Sequence, residues 1–125
     1  MIHCPLDILV VDDHVESAFM MAEVFRRAGH RVRVAVGGLE AIKTAVAQAP
    51  DVILMDINLP DLGGFDAGKR IRTLLPDVKM IGISGVQVPP ETAGDLVIFE
   101  QRLRKPTTPE QLLAALERLF SASEL

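Results

Sequence analysis

Residues 51–60, Asp51-Val52-Ile53-Leu54-Met55-Asp56-Ile57-Asn58-Leu59-Pro60, decide the fold that we predict for this chain. Residues 52–55 are an uninterrupted apolar run, which is typical of a strand buried on both faces of a parallel sheet. The run ends at a carboxylate, Asp56, and Pro60 with Gly63-Gly64 then turns the chain away from the sheet. A carboxylate at the end of a buried strand is costly unless a counter-charge or a metal ion balances it. Unless Asp56 is simply an exposed loop residue, other strands should end in groups that meet it.

The composition indicates a single domain that neither crosses a membrane nor binds nucleic acid directly. The 125 residues are 49% hydrophobic and 24% charged, and no apolar run approaches the ~20 residues of a membrane span. The net charge is −4, without a basic run, Trp or Tyr, which argues against a nucleic-acid surface. A single cysteine, Cys4, excludes an internal disulfide, and the amino terminus lacks the basic segment and long apolar core of a signal peptide. We therefore expect one cytoplasmic domain over residues 1–125.

Strand and helix patterns alternate along the chain, which predicts a parallel sheet with helices on both faces. Apolar strands belong in the middle of such a sheet and half-polar strands at its edges. The apolar candidates are residues 8–11, 52–55 and 80–83, and the half-polar ones are residues 31–34 and 101–104. This pattern fits the order 2-1-3-4-5, the flavodoxin-like doubly wound arrangement, so we expect an α/β fold with a five-stranded sheet of that kind.

The predicted helices carry recognisable end signals. They cover about residues 14–28, 38–48 and 65–75, a short weak stretch between 86 and 99, and a last helix from Pro109 onward. Asp13 is the expected N-cap of the first helix and Gly29 its C′ residue, and Thr108 with Gln111 should form a capping box. Apolar spacing predicts that the first two helices bury the following residues: Val15, Ala18, Phe19, Ala22 and Phe25 in the first, and Leu39, Ile42, Ala45 and Val46 in the second.

Chemically active side chains stand at the ends of four strands. Asp12-Asp13 follow the first strand, Asp56 the third, Ser84 the fourth and Lys105 the fifth. Because the carboxyl ends of parallel strands share one edge of the sheet, we expect these groups to converge. Two like charges 4 Å apart repel by about 4 kcal/mol at an intermediate dielectric, so three carboxylates call for Lys105 and a cation. Hard oxygen ligands favour Mg²⁺, and such a site suits the transfer of a phosphoryl group.

With these groups in place, the chain resembles the receiver domain of two-component response regulators, of the single-domain kind known from chemotaxis. The resemblance runs nearly from end to end, and no single motif would suffice for it. It is carried by Val10-Val11-Asp12-Asp13, by Met55-Asp56-Ile57-Asn58-Leu59-Pro60 with Gly64-Phe65, by Ile83-Ser84-Gly85 and by Leu103-Arg104-Lys105-Pro106.

The resemblance implies a role for each matching acidic residue. Asp56 would be the phosphoacceptor, served by a histidine kinase or a histidine phosphotransfer protein. Asp13 and Asp56 would ligate Mg²⁺ together with the backbone carbonyl of Asn58, and Asp12 would act largely through water. Taken alone, Asp13 could equally be explained by helix capping.

The resemblance also assigns the remaining groups of the site. Lys105 would contact a phosphoryl oxygen, and its bond to Pro106 would be cis. The hydroxyl of Ser84 would hydrogen-bond the phosphoryl group. Phosphorylation adds up to two negative charges, and the change would switch a surface that a downstream protein target reads. Such a domain catalyses its own phosphorylation and turns over no external substrate.

Two positions depart from the family pattern. Arg102 stands three residues before Lys105, where most receivers have an aromatic residue, and the nearest ring is Phe99. We therefore expect Arg102 to take part in partner recognition on an altered face. Val86 stands where many receivers carry a polar residue near the attacking water, which predicts a phosphoryl group with a moderate to long life.

Three other functions compete with that of a receiver. A degenerate receiver would act as a phosphorylation-independent interaction module, and the irregular stretch between residues 86 and 99 leaves this open. A Mg²⁺-dependent phosphatase usually needs an Asp-x-Asp pair, which Asp12-Asp13-His14 does not supply. A dinucleotide-binding domain would need a glycine-rich loop after the first strand. Met1 and the lack of a trailing linker favour a stand-alone regulator over part of a longer one.

Overall fold

The computed structural model describes residues 4–59, 61, 63–85 and 98–120 of the chain. Their five strands form one parallel sheet in the order β2-β1-β3-β4-β5. The strands are β1 (Asp7–Val11), β2 (Arg31–Ala35), β3 (Val52–Asp56), β4 (Lys79–Ser84) and β5 (Gln101–Arg104). The described helices are α1 (Val15–Arg27), α2 (Gly38–Ala47), α3 (Gly64–Leu74) and α4 (Pro109–Phe120). None of these helices has the length and apolar character of a membrane span.

The predicted α/β class and strand order are confirmed. β1 and β3 are buried along their whole length, as is β4 after its first residue, whereas β2 and β5 are partly exposed edge strands. Fully apolar strands occupy the middle because only there are both faces covered. In the register, Val11 lies opposite Met55 and Asp56 opposite Ile83. The central strands therefore end together, which places the residues that follow them at one edge of the sheet.

Each face of the sheet has its own hydrophobic core. α2 and α3 cover one face, with Ala41, Ala45, Ala67 and Ile71 packed on the sheet. α1 and α4 cover the other face through residues that include Phe25 and Leu116. Alternate residues of each central strand point into the two cores, so each central strand is packed on both faces.

The predicted inward faces of α1 and α2 were partly wrong. Val15 and Phe19 of α1 are 49% and 55% exposed, and Leu39 and Val46 of α2 are 52% and 53% exposed. The inward stripes use smaller residues instead: Ala18, Met21, Ala22 and Phe25 in α1, and Gly38, Ala41 and Ala45 in α2. Small residues let a helix backbone approach its neighbours closely, and the larger apolar side chains named above lie toward solvent.

The helix ends agree with the predictions except at one position. Gly29 follows α1 with φ of 100°, as a C′ glycine does. Thr108 and Gln111 form the predicted capping box, because each backbone N–H donates to the other's side chain, at 2.9 and 3.1 Å. The N-cap of α1, however, is His14 and not Asp13. Nδ1 of His14 accepts from the backbone N–H of Ser17, so the carboxylate of Asp13 is not used for capping.

The fourth of the five predicted helices, between β4 and β5, lies outside the described residues, and so does Val86. Phe99 is buried, with its ring centroid 6.0 Å from that of Phe65. A Cβ built on Gly82 would lie 3.0 Å from two atoms of the Phe99 ring, so the glycine makes room for this side chain. Arg102 lies opposite Gly82 in the register of β4 and β5 and is exposed.

Candidate functional site

The edge of the sheet where the strands end brings together the side chains that we expected to converge. Asp12 and Asp13 directly follow β1, Asp56 is the last residue of β3, Ser84 ends β4, and Lys105 directly follows β5. One oxygen atom from each of the three carboxylates lies within 4.8 Å of the other two. The acidic cluster is therefore a product of the parallel sheet, since its members are far apart in sequence.

Two of the three carboxylates are buried, which makes their partners important. Asp12 is 0% and Asp56 4% exposed, whereas Asp13 is exposed. Oδ1 of Asp12 accepts from the backbone N–H of His14 at 2.9 Å, and Oδ1 of Asp56 accepts from that of Asn58 at 2.9 Å. In both cases the backbone two residues further on satisfies one oxygen. The second oxygen of each carboxylate remains available to other groups of the site.

The ammonium group of Lys105 lies between these second oxygens. Its Nζ is 3.0 Å from Oδ2 of Asp12 and 3.1 Å from Oδ2 of Asp56. Burial acts to lower the pKa of Lys105, but the two carboxylates outweigh it and the pKa is raised. The Lys105–Pro106 bond is cis, as the resemblance implied. The site thus holds a fixed positive charge beside Asp56.

The acidic cluster fits a hard divalent metal ion. One lysine cannot balance three carboxylates, and among the described residues Oδ2 of the buried Asp12 accepts no hydrogen bond. Lys105 reaches this oxygen as an ion pair, with its Nζ 3.0 Å away. Three carboxylate oxygens at short range are the donors that such cations bind. A cation would supply both the missing charge and the missing partner.

A hydroxyl and an amide complete the polar surroundings. Ser84 is buried, and its Oγ lies 3.5 Å from Nδ2 of Asn58. The carbonyl oxygen of Ser84 accepts from the backbone N–H of Lys105 at 2.8 Å, which ties the end of β4 to the residue after β5. Ser84 also follows Ile83, the register partner of Asp56. The predicted site residues are therefore neighbours on adjacent strands.

Gly64 has a part in this site that the sequence did not reveal. A Cβ at Gly64 would lie 2.3 Å from the carbonyl oxygen of Asp56 and 2.6 Å from Cα of Ile57. The backbone N–H of Gly64 donates to the carbonyl of Ile57 at 2.9 Å. Any side chain at Gly64 would displace the backbone that carries Asp56. The sequence predicts only a turn at Gly64, and the path of the loop shows this close approach.

Asp61 is a second residue whose part was missed. Its carboxylate accepts from the backbone N–H groups of Gly38 and Leu39, at 2.9 and 3.2 Å, and so caps α2 from another part of the chain. The N-cap residue of α2, Gly37, makes no side-chain hydrogen bond of its own. The sequence held one signal for this contact, because a helix that begins with two glycines lacks a local cap.

Apolar surface adjoins the acidic cluster. Val15, Phe19 and Met20 of α1 are 49%, 55% and 68% exposed. A cavity of about 500 Å³ lies between α1 and the start of α4, and its walls include Met20, Lys105 and Pro106. Exposed apolar patches beside a charged site are typical of surfaces that bind other proteins.

Comparison with known proteins identifies the family to which the chain belongs. Residues 8–117 match the family model described as the response regulator receiver domain. The chemotaxis protein CheY of Thermotoga maritima is 28% identical over 90% of this chain and 95% of its own length. The probable transcriptional regulatory protein TcrX of Mycobacterium tuberculosis is 30% identical over 93% of this chain and 50% of its own length. The sensor kinase/phosphatase LuxN of Vibrio harveyi is 32% identical, and this chain covers 12% of its length.

Solved structures agree with this match. The chemotaxis protein CheY4 of Vibrio cholerae superposes with a TM-score of 0.85 at 28% identity, covering 94% of this chain and all of that one. A receiver domain protein of Methanospirillum hungatei gives a TM-score of 0.90 at 23% identity, over 97% and 98% of the two chains, and supports the fold. The chain thus spans nearly all of some relatives and a small part of others.

Proposed function

This chain belongs to the response regulator receiver domain family, and from that premise we propose that Asp56 accepts a phosphoryl group in a two-component phosphorelay. One observation carries the proposal: the buried carboxylate of Asp56 lies 3.1 Å from the ammonium of Lys105 and within a cluster of three carboxylates. A structural turn residue has no need of these neighbours. The proposed unit is a single domain over residues 1–125, acting in the cytoplasm.

The chemistry requires one displacement at phosphorus. A carboxylate oxygen of Asp56 attacks the phosphorus atom of a phosphohistidine or a small phosphodonor, and a P–O bond forms as the donor's P–N or P–O bond breaks. The electron pair of the broken bond leaves with the donor group. Because Oδ1 of Asp56 is held by the backbone of Asn58 and Oδ2 by Lys105, the carboxylate is oriented before the donor arrives.

The remaining groups stabilise the transferred phosphoryl group. Lys105 places a positive charge where the phosphoryl oxygens develop negative charge, and the hydroxyl of Ser84 offers a hydrogen bond. Asp12, Asp13, Asp56 and the backbone carbonyl of Asn58 are the proposed holders of Mg²⁺. When bound, the ion neutralises negative charge on the carboxylates and on the phosphoryl oxygens. The domain thereby promotes its own phosphorylation and turns over no external substrate.

The proposed phosphodonor is a histidine kinase or a histidine phosphotransfer protein. We propose that this donor docks on the exposed apolar part of α1 in the present chain. That part consists of Val15, Phe19 and Met20 and flanks the acidic cluster. Apolar contacts hold a partner, whereas the carboxylates of the cluster repel a phosphorylated donor until cations balance them. Phe19→Ser should slow transfer from the cognate kinase while leaving phosphorylation by acetyl phosphate unchanged. Equal loss with both donors would contradict this docking surface.

The proposed downstream target binds on the side of the sheet that carries Arg102. This side chain is exposed on the edge strand β5, and no hydrogen bond or ion pair holds it among the described residues. Arg102→Ala should therefore leave phosphorylation by acetyl phosphate unchanged and weaken the binding of a protein partner. If kinase transfer and partner affinity both stay as in the wild type, Arg102 has no recognition role.

Chemical trapping of the acceptor tests the proposal. Borohydride reduces an acyl phosphate on aspartate to homoserine, which peptide mass spectrometry detects at a defined position. After incubation with acetyl phosphate and Mg²⁺, we expect homoserine at position 56 and at neither position 12 nor 13. Homoserine elsewhere would contradict the assignment of Asp56, and its absence everywhere would favour an interaction module that works without phosphorylation.

A further inference from the structure

We infer that Asp61 is a positioning residue of the proposed phosphorylation site, acting through the amino terminus of α2. The inference rests on the function proposed above. Asp61 lies in the loop between β3 and α3, the same loop that carries Asn58. Its two carboxylate oxygens accept from two successive backbone N–H groups, those of Gly38 and Leu39. The loop is thereby fastened to a helix that precedes it in sequence.

The amino terminus of α2 is built to receive this carboxylate. Gly37, the N-cap residue, is extended with φ of −160° and ψ of 166°, and any residue could adopt that backbone. A Cβ at Gly37 would lie 3.1 Å from Oδ2 of Asp61, which is closer than ordinary contact. The glycine therefore leaves room for Asp61 to supply the cap that position 37 does not.

This contact links the turn before α2 to the loop that carries Asn58. On one side, the backbone N–H of Asp12 donates to the carbonyl of Ala35 at 3.1 Å, just before the turn that leads into α2. On the other side, Asp61 ties α2 to the loop whose first turn is fixed by Asp56 and Asn58. The segment from β2 to α2 is thus hydrogen-bonded to Asp12 on one side and to the loop after Asp56 on the other. Without the Asp61 contact, the loop that carries the Asn58 carbonyl loses this tie to α2.

The carboxylate of Asp61 is not one of the three that form the acidic cluster. The three carboxylates that approach within 4.8 Å of one another are those of Asp12, Asp13 and Asp56. Asp61 instead meets the amide groups and the positive end of the α2 dipole. Its effect on Mg²⁺ therefore depends on geometry, and an uncharged residue that still accepts these hydrogen bonds should preserve it.

Four variants separate positioning from helix stability. Asp61→Ala removes the contact, and Asp61→Asn keeps one of its two acceptor oxygens. Asp66→Ala is the matched control, because it removes an exposed carboxylate from the first turn of α3. Asp61→Ala combined with Gly37→Ser gives α2 a local N-cap without refastening the loop. The readouts are Mg²⁺ affinity from amide chemical shifts, the rate of phosphorylation by acetyl phosphate, and urea unfolding.

The expected pattern is specific. Asp61→Ala should weaken Mg²⁺ binding by about tenfold at most, the smallest loss usual for a group that hydrogen-bonds a metal ligand directly, because Asp61 acts on Asn58 only through the loop. It should also slow phosphorylation. Asp61→Asn retains one of the two acceptor oxygens and should fall between Asp61→Ala and the wild type. Asp66→Ala should stay within about twofold of the wild type. The double variant should regain stability toward urea without regaining Mg²⁺ affinity.

Three outcomes would overturn the inference. Unchanged Mg²⁺ affinity in Asp61→Ala would remove its basis while leaving the proposed function standing. Affinity that returns together with stability in the double variant would reduce Asp61 to a helix cap. A wild-type chain that neither binds Mg²⁺ nor accepts a phosphoryl group would overturn the proposed function, and this inference with it.

Discussion

The ammonium nitrogen of Lys105 lies 3.1 Å from Oδ2 of Asp56, across the end of the strand that separates them in the sheet. Asp56 ends β3 and Lys105 follows β5, with β4 between these strands. The two residues are 49 positions apart in sequence, so no local segment can form the contact. Only the folded sheet sets the cation beside the proposed acceptor.

Lys105→Met should destabilise the chain most strongly when Mg²⁺ is absent. The substitution leaves Oδ2 of the buried Asp12 without its counter-charge, at a cost of about 1–3 kcal/mol. Urea unfolding with and without Mg²⁺ measures the effect, and added Mg²⁺ should recover part of it. Lys43→Met, on the exposed side of α2, is the control. A loss equal to that of the control, or one that Mg²⁺ does not relieve, would refute this role.

The raised pKa of Lys105 fixes the pH range in which its ion pairs stabilise the fold. Because the folded-state pKa lies above the ordinary value of 10.5, the contribution is fully present below pH 10.5 and is lost as pH rises through the raised pKa. Wild-type stability should therefore fall above pH 10.5 more steeply than that of Lys105→Met. Stability curves that run parallel for the two proteins above pH 10.5 would contradict a stabilising role of the Lys105 ion pairs.

His30 should make stability fall in mildly acidic solution. Its Nδ1 accepts from the backbone N–H of Leu6 at 3.0 Å, which requires a neutral ring, and burial lowers its pKa from 6.5. The contribution is present above about pH 6.5 and is lost as pH falls through the lowered pKa, because the unfolded chain then binds the proton more readily. Urea midpoints from pH 8 to 5 should fall more steeply for the wild type than for His30→Gln. If the urea midpoints of both proteins fall equally steeply with pH, titratable groups other than His30 cause the loss of stability.

Gly82→Ala should destabilise the fold by about 1–3 kcal/mol, the usual cost of overpacking a core. The added Cβ would lie 3.0 Å from the ring of Phe99 and 3.2 Å from Cδ1 of Ile57. In a Phe99→Leu background the cost should shrink, because the ring is no longer there to be displaced. A double-mutant cycle by urea unfolding measures the coupling. An unchanged cost in that background would show that the glycine is needed for another reason.

The sequence predicted the sheet well because wholly apolar strands belong in its middle, which is compatible with the observed strand order. β1, β3 and β4 had to lie inside, and the alternating residues of β2 had to lie at an edge. It predicted the cap of α4 because Thr108 and Gln111 act within one turn. It was wrong about Phe19 and Leu39, since hydrophobic spacing favours large residues while close helix packing selects small ones.

In the candidate site, too, some features follow from the sequence pattern and others depend on the folded path of the chain. The convergence of Asp12, Asp56 and Lys105 could be predicted, because parallel strands end at a common edge. The contacts of Gly64 and Asp61 could not be predicted, since both depend on the path of a loop past backbone that is not adjacent in sequence. The capping of α1 by His14 was missed because an aspartate one residue earlier is the commoner N-cap.

The central claim is best tested by the intact mass of the chain after incubation with acetyl phosphate and Mg²⁺. The account predicts a gain of one phosphoryl group, which is absent in Asp56→Asn and absent when Mg²⁺ is chelated. A gain that persists in Asp56→Asn would place the acceptor elsewhere, and a gain without Mg²⁺ would remove the metal from the account. No gain with any phosphodonor would contradict the phosphoacceptor function itself.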